Sequence, residues 1–107
     1  MKTSRTMTAK ELYEMTKSHS IEKLSDCRAD RLTVTDYVLR EDVNSDGEAA
    51  LVLTIRTDDG HLYGTISASF IRDFDAIIKC GVEMPCEIEI IRNKGRSGRT
   101  FLTCEWC

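Results

Sequence analysis

Proline occurs once in the chain, at Pro85, and no apolar run approaches the ~20 residues that a membrane-crossing helix requires. A helical span is therefore excluded, and no membrane partner is expected. The opening residues 1–10 carry positive charge with no apolar stretch behind it, so a secretory signal is not expected either. The five cysteines (Cys27, Cys80, Cys86, Cys104 and Cys107) are odd in number and, except at the C-terminus, irregularly spaced. That usage suits free thiols in a reducing, cytoplasmic compartment rather than a disulfide framework. Positive charge is not in surplus: 15 Lys and Arg against 18 Asp and Glu leave a formal net charge of −3. The chain as a whole has no general attraction for polyanions, so any such partner must be met by a local patch.

Catalytic signatures are missing too. There is no P-loop, nucleophile elbow or paired-histidine helix motif. His19 and His61 lie far apart, with no nucleophile arranged beside either. Cys104-Glu-Trp-Cys107 is formally a C-x-x-C, but on a strand its two sulfurs point to opposite faces, and a structural zinc would need two more ligands. No enzymatic activity, metal or cofactor is expected.

What is present is the material of one small domain. A chain of 107 residues can bury roughly two thirds of its unfolded surface. Its 41% hydrophobic and 31% charged residues, both signs mixed, suit a folded chain rather than a disordered tail. Neither an internal repeat nor a low-complexity segment occurs.

Thr8-Ala-Lys-Glu11 reads as a capping box, opening a short helix with Ala9, Leu12, Tyr13 and Thr16 at helical spacing. It is only mildly amphipathic and is expected to lie across the outside of the main body. From about Arg28 the period changes to two. Leu32 and Val34 alternate with polar residues, and Tyr37 to Leu39 continue the strand after a slip near Asp36 that a bulge would explain. Glu41–Glu48, with four acids and no base, reads as a loop. Ala49–Thr57 is the clearest strand, Asp58-Asp59-Gly60 a hairpin turn, and His61–Ser67 the returning strand. Phe70, Ile71, Phe74, Ile77 and Ile78 form one apolar stripe of a second helix, capped by Ser67 or Ser69 and closed by Gly81. Cys86, Ile88 and Ile90 alternate inward on a fourth strand. Leu102, Cys104 and Trp106 are expected to do so on a fifth.

Five short strands with a helix between the third and fourth is the element order of the OB-fold, a mainly β, small Greek-key barrel that closes most of its edges. Residues 1–25 are expected as a helix and linker, and 26–107 as the barrel. The fourth and fifth strands flank a basic turn in which Arg92, Lys94, Arg96 and Arg99 occur with no acid, and Phe101 starts the strand that follows. Cations with a flat ring beside them are what a sugar-phosphate chain requires: charge for phosphates, a π-face for bases. Strands two and three supply Arg56 and Tyr63, expected on the outward face with Tyr37 as a third ring. The expected nucleic-acid contacts are thus Tyr37, Arg56, Tyr63, Arg92, Lys94, Arg96, Arg99 and Phe101.

Three stretches carry a resemblance: Asp59-Gly-His-Leu-Tyr-Gly-Thr65, Phe70-Ile-Arg-Asp-Phe-Asp-Ala-Ile-Ile78, and Lys94-Gly-Arg-Ser-Gly-Arg-Thr-Phe-Leu-Thr-Cys-Glu105. They resemble parts of the small single-stranded DNA-binding proteins of phages and prophages of Gram-positive bacteria. The resemblance covers roughly residues 26 to 107. It implies an OB barrel that coats single-stranded DNA cooperatively, in replication or recombination, without a cofactor. The chain departs from that group in its acidic first loop and in having no acidic stretch after Trp106. RNA binding on the same surface, self-association along the strand, and a protein-interaction module (a replisome adaptor or a phage inhibitor of a host factor) acting through the acidic loop and first helix are the alternatives left open.

Overall fold

Alternating apolar residues dictate a sheet, and the sheet dominates the molecule. The computed structural model describes every residue of the chain except Asn44, so that position of the expected loop 41–48 lies outside the described residues. The elements are β1 (Lys2–Thr3), α1 (Ala9–Thr16), β2 (Ile21–Lys23), a 3-10 turn (Leu24–Asp26), β3 (Arg31–Val43), β4 (Ala49–Thr57), β5 (Leu62–Thr65), α2 (Ala68–Lys79), β6 (Cys86–Lys94) and β7 (Thr100–Trp106). The five expected strands are β3 to β7, with α2 between the third and fourth. The sheet curls into a half-barrel, a mainly β, OB-like architecture.

Strand order is β2-β5-β4-β3-β6-β7, with β1 on β3. β3 joins the two halves. Arg31–Val34 pair with β6, and Val34–Val43 pair with β4. The register slips between Val34 and Asp36, where the sequence alternation fails, and such a bulge bends a strand enough to serve two neighbours. Among the described residues β2 and β7, the two ends of the path, do not pair with each other. The barrel is therefore left open along one side, short of the closure expected from the element order.

The core lies between the inner face of the sheet and α2. Phe70, Ile71, Phe74 and Ile77 are the buried face of that helix, as the stripe requires. Phe70 and Phe74, fully buried, each contribute about 1.5–3 kcal/mol by leaving water. Ser67 caps the helix by accepting from the Phe70 N–H, and Gly81 takes up φ +86° just beyond its end.

The N-terminal segment is more than a helix and linker. β1 pairs antiparallel with β3 and β2 parallel with β5. Gly64 permits the second pairing: a Cβ there would stand 3.1 Å from the Ile21 Cγ2 atom. The Thr8–Glu11 capping box forms as read, but the buried residue of α1 is Met15, while Tyr13 turns outward. Met15 packs with Val38 and Leu62 in a small second core on the outer face of the sheet. Three further expectations shift. β3 runs on through Val43, shortening the acidic loop; β5 is only four residues long; and Trp106 is 50% exposed. Trp106 keeps the inward phase of Leu102 and Cys104, but it ends an edge strand, where the alternation outlasts the cover.

Candidate nucleic-acid interface

The β6–β7 hairpin pairs Lys94 with Thr100, Asn93 with Phe101 and Arg92 with Leu102. Its turn is closed by the Gly95 N–H donating to the Arg99 carbonyl (2.8 Å) and the Gly98 N–H to the Gly95 carbonyl (3.0 Å). Gly98 adopts φ +79°, a conformation that favours glycine. Phe101 sits on the outward face of β7, its ring beside Gly95, and is 42% exposed. Behind it, Asn93 Nδ2 donates to the Thr103 hydroxyl (2.9 Å), tying the two strands together on that face. The base of the hairpin is held to α2: the Ser69 hydroxyl donates to the Leu102 carbonyl at 2.7 Å and that of Ser67 at 3.3 Å.

Charge is distributed unevenly. Among the described residues, nine of the fifteen lysines and arginines form ion pairs: Lys2, Arg5, Lys17, Arg31, Arg40, Arg56, Arg72, Lys79 and Arg92. Among the described residues Lys10, Lys23, Arg28, Lys94, Arg96 and Arg99 form none. Three of these six belong to the hairpin and two flank the 3-10 turn. An acidic protein thus keeps its uncompensated positive charge largely on two neighbouring segments.

Those segments face each other across the open side of the half-barrel. A groove of about 800 Å³ runs there, with Lys23 and Ser25 on one wall and Arg99 and Phe101 on the other; Val52 and Ile66 also line it. Ile66 is 73% exposed, an aliphatic side chain left in water at the edge of a cationic groove.

Of the eight expected contacts, Lys94, Arg96, Arg99 and Phe101 come together on the hairpin. The other four are engaged elsewhere, Arg92 on the same hairpin but turned away from its tip. Arg92 shares the inward phase of Leu102 and reaches across the rim, donating to the Cys27 carbonyl and to Asp30 (3.4 Å). Arg56 lies on the face that α1 covers, 3.7 Å from Glu14 and 3.6 Å from Asp36. Tyr63 pairs with Ile55 across the ladder and is therefore on the inner face, half-buried, not outward. Burial, and after it the neighbouring Cys27 thiol, push its phenol above the ordinary range. His61 stacks beside it, ring centroids 6.0 Å apart. Tyr37 is only 8% exposed, its ring edge-on to Phe74 at 5.5 Å. The bulge ahead of it turns Tyr37 into the core, not onto the expected outward face.

Lys23, Ser25, Val52 and Ile66 were not among the expected residues. β2 is three residues long, too short to show a period, and its pairing with β5 spans some forty residues of sequence. Ile66 could have been noticed as the apolar residue left between the end of a strand and a helix cap. Among the described residues no cluster of His, Cys, Asp or Glu is arranged to hold a metal ion, and no helix is long and apolar enough to cross a membrane.

A protein-family model described as "Phage Single-stranded DNA-binding protein", of the Phi29 type, matches residues 9–106. No curated protein and no solved structure matches the chain.

Proposed function

The chain belongs to the Phi29-type phage single-stranded DNA-binding protein family, so single-stranded DNA is its ligand, and we propose that the β6–β7 hairpin is the surface that takes it. Lys94, Arg96 and Arg99 lie along the phosphates, and Phe101 stacks on a base. Contacts of this kind are tolerant of sequence, because every base has a π-face and every nucleotide a phosphate. Such a protein protects unpaired strands during replication or recombination.

The observation that carries this reading is the charge distribution. In a chain of net charge −3, where most cations are matched by carboxylates, the hairpin keeps three that form no ion pair among the described residues, beside an exposed ring. Arg56, Arg92, Tyr37 and Tyr63 are committed to the fold and are left out of the contact surface.

The test is fluorescence anisotropy with labelled oligo-dT over a salt series. Three phosphate contacts give a slope of log affinity against log salt near −2, about −0.7 for each phosphate on a single strand. Replacing Lys94, Arg96 and Arg99 with alanine should remove most of that slope together with the affinity. Oligo-rU as competitor separates DNA from RNA. Absence of binding at micromolar protein in low salt would sink the assignment of the hairpin.

A further inference from the structure

We propose that the opposite wall of the groove, at Lys23, is a second phosphate rail, so that a single strand is held from both sides with its bases against Ile66 and Phe101. The inference rests on the hairpin reading above and extends it to a segment outside the five-stranded barrel.

Three observations converge on it. Lys23 and Arg99 line one groove from opposite ends of the sheet, and neither forms an ion pair among the described residues. The position of Lys23 is fixed: β2 pairs in register with β5, Lys23 against Gly64, and Ile21 packs where a Gly64 side chain would stand. Apolar groups line the same groove, Ile66 and the face of Phe101, both exposed. Cations outside and apolar groups within match a chain whose phosphates are charged and whose bases are flat and poorly hydrated. A duplex offers phosphates but hides its base faces, so a groove built this way selects the unpaired strand. An acidic peptide would satisfy the cations and leave Ile66 and Phe101 without a use.

The experiment compares Lys23→Ala with Lys10→Ala, which removes an equal charge from α1, away from the groove. Labelled oligo-dT is titrated by anisotropy over a salt series. Lys23→Ala should reduce the salt slope by about 0.7, the value for one phosphate, and weaken binding several-fold at moderate salt. Lys10→Ala should leave the slope where it is. Ile66→Ala should weaken binding with the slope unchanged. Acetylation of the unmodified protein with and without oligo-dT, read by mass spectrometry, provides a check that needs no variant: Lys23 should be protected and Lys10 not. If the hairpin variant weakens binding but Lys23→Ala behaves like Lys10→Ala and Lys23 stays reactive, the second rail is overturned while the hairpin stands. If the hairpin variant binds as well as the unmodified chain, the hairpin reading itself fails and takes the second rail with it.

Discussion

The Arg56 guanidinium stands 3.6 Å from the Asp36 carboxylate, its partner across the β3–β4 ladder, on the face of the sheet that α1 covers. Asp36 is nearly buried and also accepts from Arg5 Nε (2.9 Å) and from the Ser4 hydroxyl (3.2 Å). Arg56 thus joins β4 to α1 through Glu14 and helps to neutralise a carboxylate shared with the N-terminal segment. Its replacement by alanine leaves Asp36 with fewer partners. Arg56→Ala should cost about 1–2 kcal/mol of stability in urea denaturation, the range for a partly buried charged contact. Its affinity for oligo-dT should stay within twofold. A large affinity loss with unchanged stability would return Arg56 to the DNA surface.

Phe101 has the opposite balance. Its ring is 42% exposed and lies beside Gly95 of its own turn. Stacking on one base is worth ~1–3 kcal/mol, so Phe101→Ala should weaken oligo-dT binding roughly five- to hundred-fold. The midpoint of thermal unfolding should move by only a few degrees. Phe101→Trp should retain binding and supply a fluorophore whose emission changes as DNA is added. Equal affinity for Phe101→Ala and the unmodified protein would remove the ring from the interface.

What could be read from residues alone divides along physical lines. The order of the five main strands, the α2 stripe, the capping box and the slip near Asp36 are all local in sequence, and each is where the pattern placed it. The cationic hairpin was legible for the same reason, since its strands are joined by a short turn. Faces were harder. Alternation within each strand sets Tyr63 and Arg56 on one outward side, yet the ladder sets Tyr63 opposite Ile55 and Arg56 opposite Leu62, on different faces. A strand flanked by apolar residues in both phases has two buried sides here, one under α2 and one under α1, and alternation alone cannot rank them. The groove was invisible because Lys23 reaches it only through a parallel pairing to a distant strand.

Tyr37 is buried on the inner face of the sheet. It follows the bulge and meets Phe74 edge-on, so its ring belongs to the packing of α2 against the sheet. Tyr37→Phe keeps that ring and should leave both stability and oligo-dT affinity close to those of the unmodified chain. Tyr37→Ala removes it from the core and should cost about 3–5 kcal/mol, as for other large aromatic truncations. Quenching of tyrosine fluorescence by DNA should be no smaller in Tyr37→Phe. A clear reduction would show that Tyr37 reaches a base after all.

The acid limb of stability should be governed by carboxylates at the surface. Glu11 is held down to about 2, first by its hydrogen bond with Arg5 and next by the Thr8 N–H. Asp42 is lowered to about 2 by Arg40 ahead of the Val43 N–H, and Asp59 to about 2 by the Thr57 hydroxyl ahead of His61. Each of these groups binds a proton less readily in the folded chain than in the unfolded one. Their contribution is therefore whole above the ordinary carboxylate range and is lost as pH falls towards about 2. His61 acts in the opposite sense: Asp59 raises its pKa, so its contribution is whole at acidic pH and fades as pH rises through the raised value. The unfolding midpoint should accordingly fall between roughly pH 4.5 and pH 2, by a modest amount because these pairs are at the surface. Glu11→Gln keeps an oxygen for the Thr8 N–H but gives up the charge that faces Arg5. Its midpoint should lie below that of the unmodified chain at neutral pH and approach it as the pH is lowered. Two curves that stayed parallel across that interval would show that the Arg5–Glu11 pair contributes nothing to the acid limb.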